Sequence, residues 1–275
     1  MKKESFALAL VFLLTLSVVI ASIPSFESAS IIPSNDDAVI NIPTTAVKVA
    51  PGIFKLENTI ENGRVIEGYA IIDYKKEHAR PPWAGGNTNS GKTTCYSFIS
   101  KGAKWKSNEP YILDSTNNAS LNEAQIRDTV FYAIDEWEIE SGNQDIFGNE
   151  INGTVDLANI GNLNGKNEIA FADINSPGAI AVTFVWGIFS GPPGGRELVE
   201  WDQVYDDVDF SWSHVGDPNA MDFENIVQHE MGHSFGLAHP DTTCTEETMY
   251  AFASFGETKK RSLNAGDIQG IINLY

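Results

Sequence analysis

The sequence predicts an α+β fold, one domain in which a sheet packs against three helices, preceded by a short N-terminal region. Three observations predict it. Apolar residues recur at helical spacing in three stretches, 123–141, 222–236 and 264–275. Segments rich in β-branched and aromatic residues, at 95–99, 111–113, 168–172, 179–186 and 198–210, are separated by Gly-, Pro- and Asn-rich breaks. Residues 81–91, Pro-Pro-Trp-Ala-Gly-Gly-Asn-Thr-Asn-Ser-Gly, carry neither period and mark a boundary.

The elements follow in chain order. Lys2 and Lys3, an apolar run of 18 residues over 6–23, and small residues at Ser25, Ser28, Ala29 and Ser30 lay out a secretory signal over 1–30. The run is long enough that an uncleaved anchor is the alternative. Residues 31–94 hold one clear strand, Arg64 to Tyr74, too little for an independent core, and read as an inhibitory prosegment cut in the Gly-rich break or as an appendage that stays. The main domain is expected over 95–275. Its first helix has Ser120 and Glu123 as a capping box, Ile126, Val130, Ile134 and Trp137 inward, and a stop at Ser141-Gly142. The second starts at Asp222, turns Phe223, Ile226 and Val227 to the core and stops at Gly236. The third takes Asn264 as cap and Asp267 in its first turn, with Ile268, Ile271 and Ile272 inward.

Composition narrows the function classes. A chain of 275 residues, 42% hydrophobic, supplies one good-sized core. With 18 basic against 37 acidic residues, the formal charge of -19 repels phosphate backbones and anionic lipid, which excludes nucleic acid as a partner and leaves a membrane only through an uncleaved anchor. Two cysteines, Cys95 and Cys244, favour one disulfide in an exported chain, two free buried thiols being the alternative. Asn118-Ala-Ser120 and Asn152-Gly-Thr154 are glycan acceptor triplets.

The chemistry concentrates in residues 229–239, His-Glu-Met-Gly-His-Ser-Phe-Gly-Leu-Ala-His. His229 and His233, four apart on a helix, project from one face and can grip one ion. Gly236 permits the sharp turn that returns His239 as a third ligand. Three imidazoles on tetrahedral Zn2+ leave a fourth place for water, whose pKa the ion lowers towards about 7. Glu230, about 100° round the helix from His229, is placed to take that water's proton and pass it to a leaving amine. A structural zinc site would usually close its shell with cysteine, and neither cysteine lies within the motif.

With Met249 in Glu247-Thr-Met-Tyr250, ten residues past His239, the sequence resembles the metzincin zinc peptidases, Met249 standing as the methionine of their Met-turn. Residues 198–212 and 255–275 are similar to the matrixin-like members, particularly bacterial and archaeal ones. The resemblance implies a twisted five-stranded mixed sheet with three helices, and a secreted, monomeric endopeptidase acting on proteins or peptides. It implies a cleft in which an extended substrate pairs with an edge strand, for which 179–186 is the candidate, and 249–252 a wall of the specificity pocket. It also implies one zinc, since a second, structural ion needs three further histidines and only His78 and His214 remain. The loop 189–195 is similar to one associated with Ca2+, with Asp202, Asp206, Asp207 and Asp209 as candidate ligands. Cys95 lacks the Pro-Arg-Cys-Gly setting of a cysteine switch, so a Cys95–Cys244 bridge tying the domain's start to the active-site loop is expected instead. Tyr250 directly follows Met249 and reads as structural. The rival reading is a non-catalytic cell-surface binding protein that keeps the fold, against which the intact Glu230 argues.

Overall fold

A computed structural model describes residues 38–76 and 94–275. The signal over 1–30, the break at 81–91 and His78 lie outside the described residues, among which no helix is long and apolar enough to cross a membrane.

Nine strands form one mixed sheet: β1 (Val47–Ala50), β2 (Ile53–Lys55), β3 (Thr59–Glu61), β4 (Arg64–Lys75), β5 (Tyr111–Leu113), β6 (Asn167–Phe171), β7 (Ala179–Ile188), β8 (Glu197–Tyr205) and β9 (Phe252–Ala253). Their order is β1-β2-β4-β7-β8-β6-β5, with β3 and β9 also paired to β4. Strands β5, β6 and β8 run parallel, β7 is antiparallel to β8, and β4 is antiparallel to β7. The expected mixed sheet with three helices is present. It is wider than five strands because β1 to β4, from the N-terminal region, extend it.

The candidate substrate edge needs correction. Residues 179–186 lie in β7, which is flanked on both sides, by β8 and by β4, with Val182 opposite Ile72 and Phe184 opposite Ala70. The backbone groups that an edge would leave unpaired are satisfied by β4. Alternation along β7 divides its side chains between two cores: Ala181 and Val185 join the helix-side cluster, and Val182, Phe184 and Trp186 the opposite one. Thr183 falls on the helix side with Val185.

Helices α1 (Glu123–Glu140), α2 (Phe223–Ser234) and α3 (Ala265–Leu274) cover that side. The α1 cap is Asn122, not Ser120: its side chain accepts from the Gln125 amide. The reason is Asn117, whose side chain both accepts from the Leu121 amide and donates to its carbonyl, while Ser120 turns to φ 59° outside the helix. Ile126, Val130, Ile134 and Trp137 are buried as expected. The Trp137 indole N–H donates to the Gln228 carbonyl at 2.9 Å, locking α1 to α2. Asp222 caps α2 by accepting from the Asn225 amide, and the Asn264 amide donates to Asp267 at the start of α3. On α3 the inward face is Asp267, Gly270, Ile271 and Leu274, so Ile272 is 54% exposed rather than buried. Apart from the main sheet, the short strand Ser97–Phe98 pairs with Leu237–Ala238, bringing the start of the domain beside the turn that follows α2.

Candidate metal centre and active site

Helix α2 ends where Gly236 takes φ +106°, a conformation that side chains rarely adopt, and the chain then doubles back through Leu237–Ala238 to His239. The Nε2 atoms of His229, His233 and His239 thereby meet at 3.1–3.2 Å from one another. Their tautomers follow from what the other nitrogens face. His229 Nδ1 donates to the Thr248 carbonyl at 2.6 Å and His233 Nδ1 to the Leu237 carbonyl at 2.9 Å, and a carbonyl can only accept. The Nε2 atoms of both therefore carry lone pairs, aimed at one point. Burial, first among the causes, holds all three imidazoles below the usual histidine range, His233 down to about 4, so the set stays neutral.

Lone pairs so close repel unless a cation stands among them. Nitrogens about 2.0–2.1 Å from a tetrahedral zinc stand about 3.3 Å apart, close to the observed spacing. The carbonyls that fix the Nδ1 protons are the outer partners that metal-bound histidines use. The residues present fit the ion.

Glu230 is fully buried beside the triad. Thr183 of β7 donates its hydroxyl to Oε2, while Oε1 has no hydrogen-bond partner. Burial raises this carboxyl well above its usual range, and the nearby Asp73 adds to the effect. Met249, 1% exposed, lies under α2, where a Cβ built on Gly232 would come 2.2 Å from its sulfur. The turn that carries it is held by Asp267, which accepts from the amides of Thr248 and Met249 at 2.7 and 3.1 Å.

The family model for matrixin (Peptidase_M10) matches residues 104–275, most of the chain. The chain belongs to the matrixin family. A search of curated proteins finds no match. Among solved structures, one titled "Crystal Structure of metalloproteinase-II from Bacteroides fragilis" aligns over 86% of this chain and 85% of that one, at 13% identity and a TM-score of 0.34.

In this matrixin the remaining expected residues fall as follows. Cys95 and Cys244 are bonded, Cα to Cα 5.5 Å, which removes the free-thiol alternative. Asn118 and Asn152 are exposed. The proposed calcium carboxylates are engaged by backbone amides: Asp202 by Gly161 and Glu168, Asp206 by Ile174, Val208 and Asp209, Asp207 by Asn118. Among the described residues they do not form a cation cluster. The Tyr250 carbonyl accepts from Lys260 at 2.6 Å.

Three site residues escaped the sequence reading. Thr183 is the one polar side chain in the apolar run Ala-Ile-Ala-Val-Thr-Phe-Val-Trp, a signal that could have found it. Lys260, fully buried with Nζ 3.5 Å from His229 Nδ1, is hidden in a Lys-Lys-Arg run that reads as surface. Asp73 ends the apolar strand β4, and its carboxylate approaches His229 and Glu230, with the candidate ligand atoms of the three residues all within 4.8 Å of one another.

Proposed function

We propose that this matrixin is a zinc-dependent endopeptidase that acts outside the cell as a single chain on protein or peptide substrates. His229, His233 and His239 hold the ion and Glu230 serves as general base and acid. The observation that carries the reading is the convergence of three neutral Nε2 atoms at 3.1–3.2 Å beside a buried glutamate. The export signal read in residues 1–30 and the disulfide support an extracellular setting.

Zinc bound there supplies an electrophile for the scissile carbonyl and makes water more acidic. The chain's own groups do the rest. Thr183 holds one oxygen of Glu230, which leaves Oε1 to accept the proton of the attacking water and to deliver it to the departing amine. The Thr248 and Leu237 carbonyls keep the imidazoles in the ligating tautomer.

The test joins metal content with cleavage. The chain should carry one zinc, lost in His233→Ala. In whatever form it cleaves a denatured protein, Glu230→Ala should slow cleavage on the order of 10²–10⁴-fold while retaining the metal. Cleavage that survives a chelator or the Glu230 change refutes the mechanism.

A further inference from the structure

We infer that the groove between α1 and α2, on a face of α2 other than the one that carries the metal ligands, holds an arginine side chain of the protein substrate. The inference rests on the endopeptidase reading above and adds to it a recognition site away from the scissile bond.

Helical spacing builds the groove. Asp128, Tyr132 and Glu136 stand four apart along α1, and Glu224 and Gln228 four apart along α2, so each helix contributes one stripe. The Trp137 indole, bonded to the Gln228 carbonyl, holds the two helices together. With His214 and Arg261 these residues line a cavity of about 300 Å3, at the small end of ligand clefts, room for one long side chain rather than a strand. Gln228 lies about 100° round α2 from His229, and no metal ligand lines the cavity.

The polar groups of the cavity call for a cation. Three carboxylates, Asp128, Glu136 and Glu224, face a single cationic side chain, Arg261. Arg261 is already engaged, donating to Asp222 at 2.8 and 2.5 Å and to the His214 carbonyl at 2.9 Å. Burial raises the Glu136 carboxyl above its usual range, the Leu263 amide opposes the rise and Glu224 adds to it, so a further cation stabilises the charged form. Gln228 is 2% exposed and its Nε2 has no hydrogen-bond partner; the Nε2 of His214, also shielded from solvent, has none either. Buried polar atoms are nearly always paired, so two orphans lining one cavity mark a missing partner. Burial holds His214 below the usual histidine range, and a neutral imidazole, like a side-chain amide, can accept as well as donate.

The arrangement selects the class of cation. Among the described residues, these carboxylates and the imidazole do not gather into a group able to hold a metal ion. The cation is therefore an extended one. A guanidinium, a planar fork of five donors, reaches separate carboxylates, the amide and the imidazole together, whereas an ammonium is a compact point charge. Tyr132 is 66% exposed, its ring centroid 5.5 Å from that of the exposed Phe131, and it offers a face on which a guanidinium stacks. The formal charge of -19 draws basic segments towards the chain.

The full-length chain is titrated with N-acetyl-arginine amide and with its uncharged isostere, N-acetyl-citrulline amide, and followed by NMR at the Gln228 side-chain amide and the Tyr132 ring. Arginine should shift both signals saturably, and citrulline neither. Glu136→Gln, and the double change Asp128→Asn with Glu136→Gln, preserve size and are checked for folding by circular dichroism and melting. Each should weaken arginine binding by about tenfold or more, the loss of a charge-assisted hydrogen bond. In whatever form the chain cleaves a denatured protein, blocking that substrate's arginines with a dicarbonyl reagent should raise the wild-type KM several-fold and leave kcat alone. The variants should lose that difference. Equal response to arginine and citrulline, equal binding by all three proteins, or a KM difference that persists in the variants overturns the inference, leaving the groove a seam between two helices. Arginine binding as described, in a protein that cleaves neither form of the substrate, overturns the endopeptidase reading instead, and the pocket stands.

Discussion

Replacing Cys95 and Cys244 together by alanine removes a crosslink between residues 149 apart. In the chain-entropy description, closing a loop of that length in the unfolded state is worth about 5 kcal/mol. With a urea m-value of about 3 kcal/mol per M for a domain of this size, the midpoint should fall by about 1.5–2 M. The double change avoids leaving a reactive thiol behind. Urea unfolding followed by tryptophan fluorescence and circular dichroism reads the shift, and m should rise somewhat, because the unfolded chain freed of the crosslink exposes more surface. The effect should also reach the site. Cys244 lies between His239 and Met249, and Cys95 stands next to Ser97–Phe98, which pairs with Leu237–Ala238, so the loop that carries the third ligand loses its anchor. Zinc should therefore leave the variant faster than the wild type. A midpoint shift under about 0.3 M, equivalent to less than about 1 kcal/mol, would refute the view that the bridge acts by constraining the unfolded chain.

Two further predictions come from the interior. Gly232→Ala should destabilise by about 1–2 kcal/mol, because a Cβ there meets the Met249 sulfur at 2.2 Å and the Trp137 ring at 2.7 Å, a clash costing more than the helix propensity gained, about 1 kcal/mol. A variant at least as stable as wild type in urea would show that propensity dominates. Glu200, whose carboxyl burial pushes up to about 7, binds a proton in the folded chain that the unfolded chain releases above the ordinary carboxylate range. Stability should therefore fall as pH rises from about 5 through 7, by up to about 3 kcal/mol, and the decline should flatten in Glu200→Gln. Identical pH slopes in melting experiments would count against it.

The candidate metal ligands were legible because the pattern that brings them together is local. Spacing of four on a helix, one glycine to reverse the chain and a third histidine three residues later define the triad without long-range information. The start of α2 at Asp222 and the cap of α3 at Asn264 were readable for the same reason. The cap of α1 was misread because Ser120 and Glu123 fit the pattern, while the residue that displaces Ser120 is Asn117, bonded to both backbone groups of Leu121. Lys260 was hidden because its partners are distant in sequence: its amide donates to Asn225, 35 residues away, and its Nζ stands beside Asp73 and His229.

The same distinction explains the largest error, the edge strand. Residues 64–74 read correctly as a strand and 179–186 as another, but nothing local to either says that they pair, since a ladder is written in backbone groups that every sequence shares. Function supplies the missing reason. A peptidase that binds extended chains by strand addition must keep a long apolar strand unpaired, and such an edge invites aggregation before any substrate arrives. Charged or proline-bearing gatekeepers on β7 would protect it at the expense of binding, and its run of Ala-Ile-Ala-Val-Thr-Phe-Val-Trp contains none. A strand from the chain's own N-terminal region protects the edge without altering it.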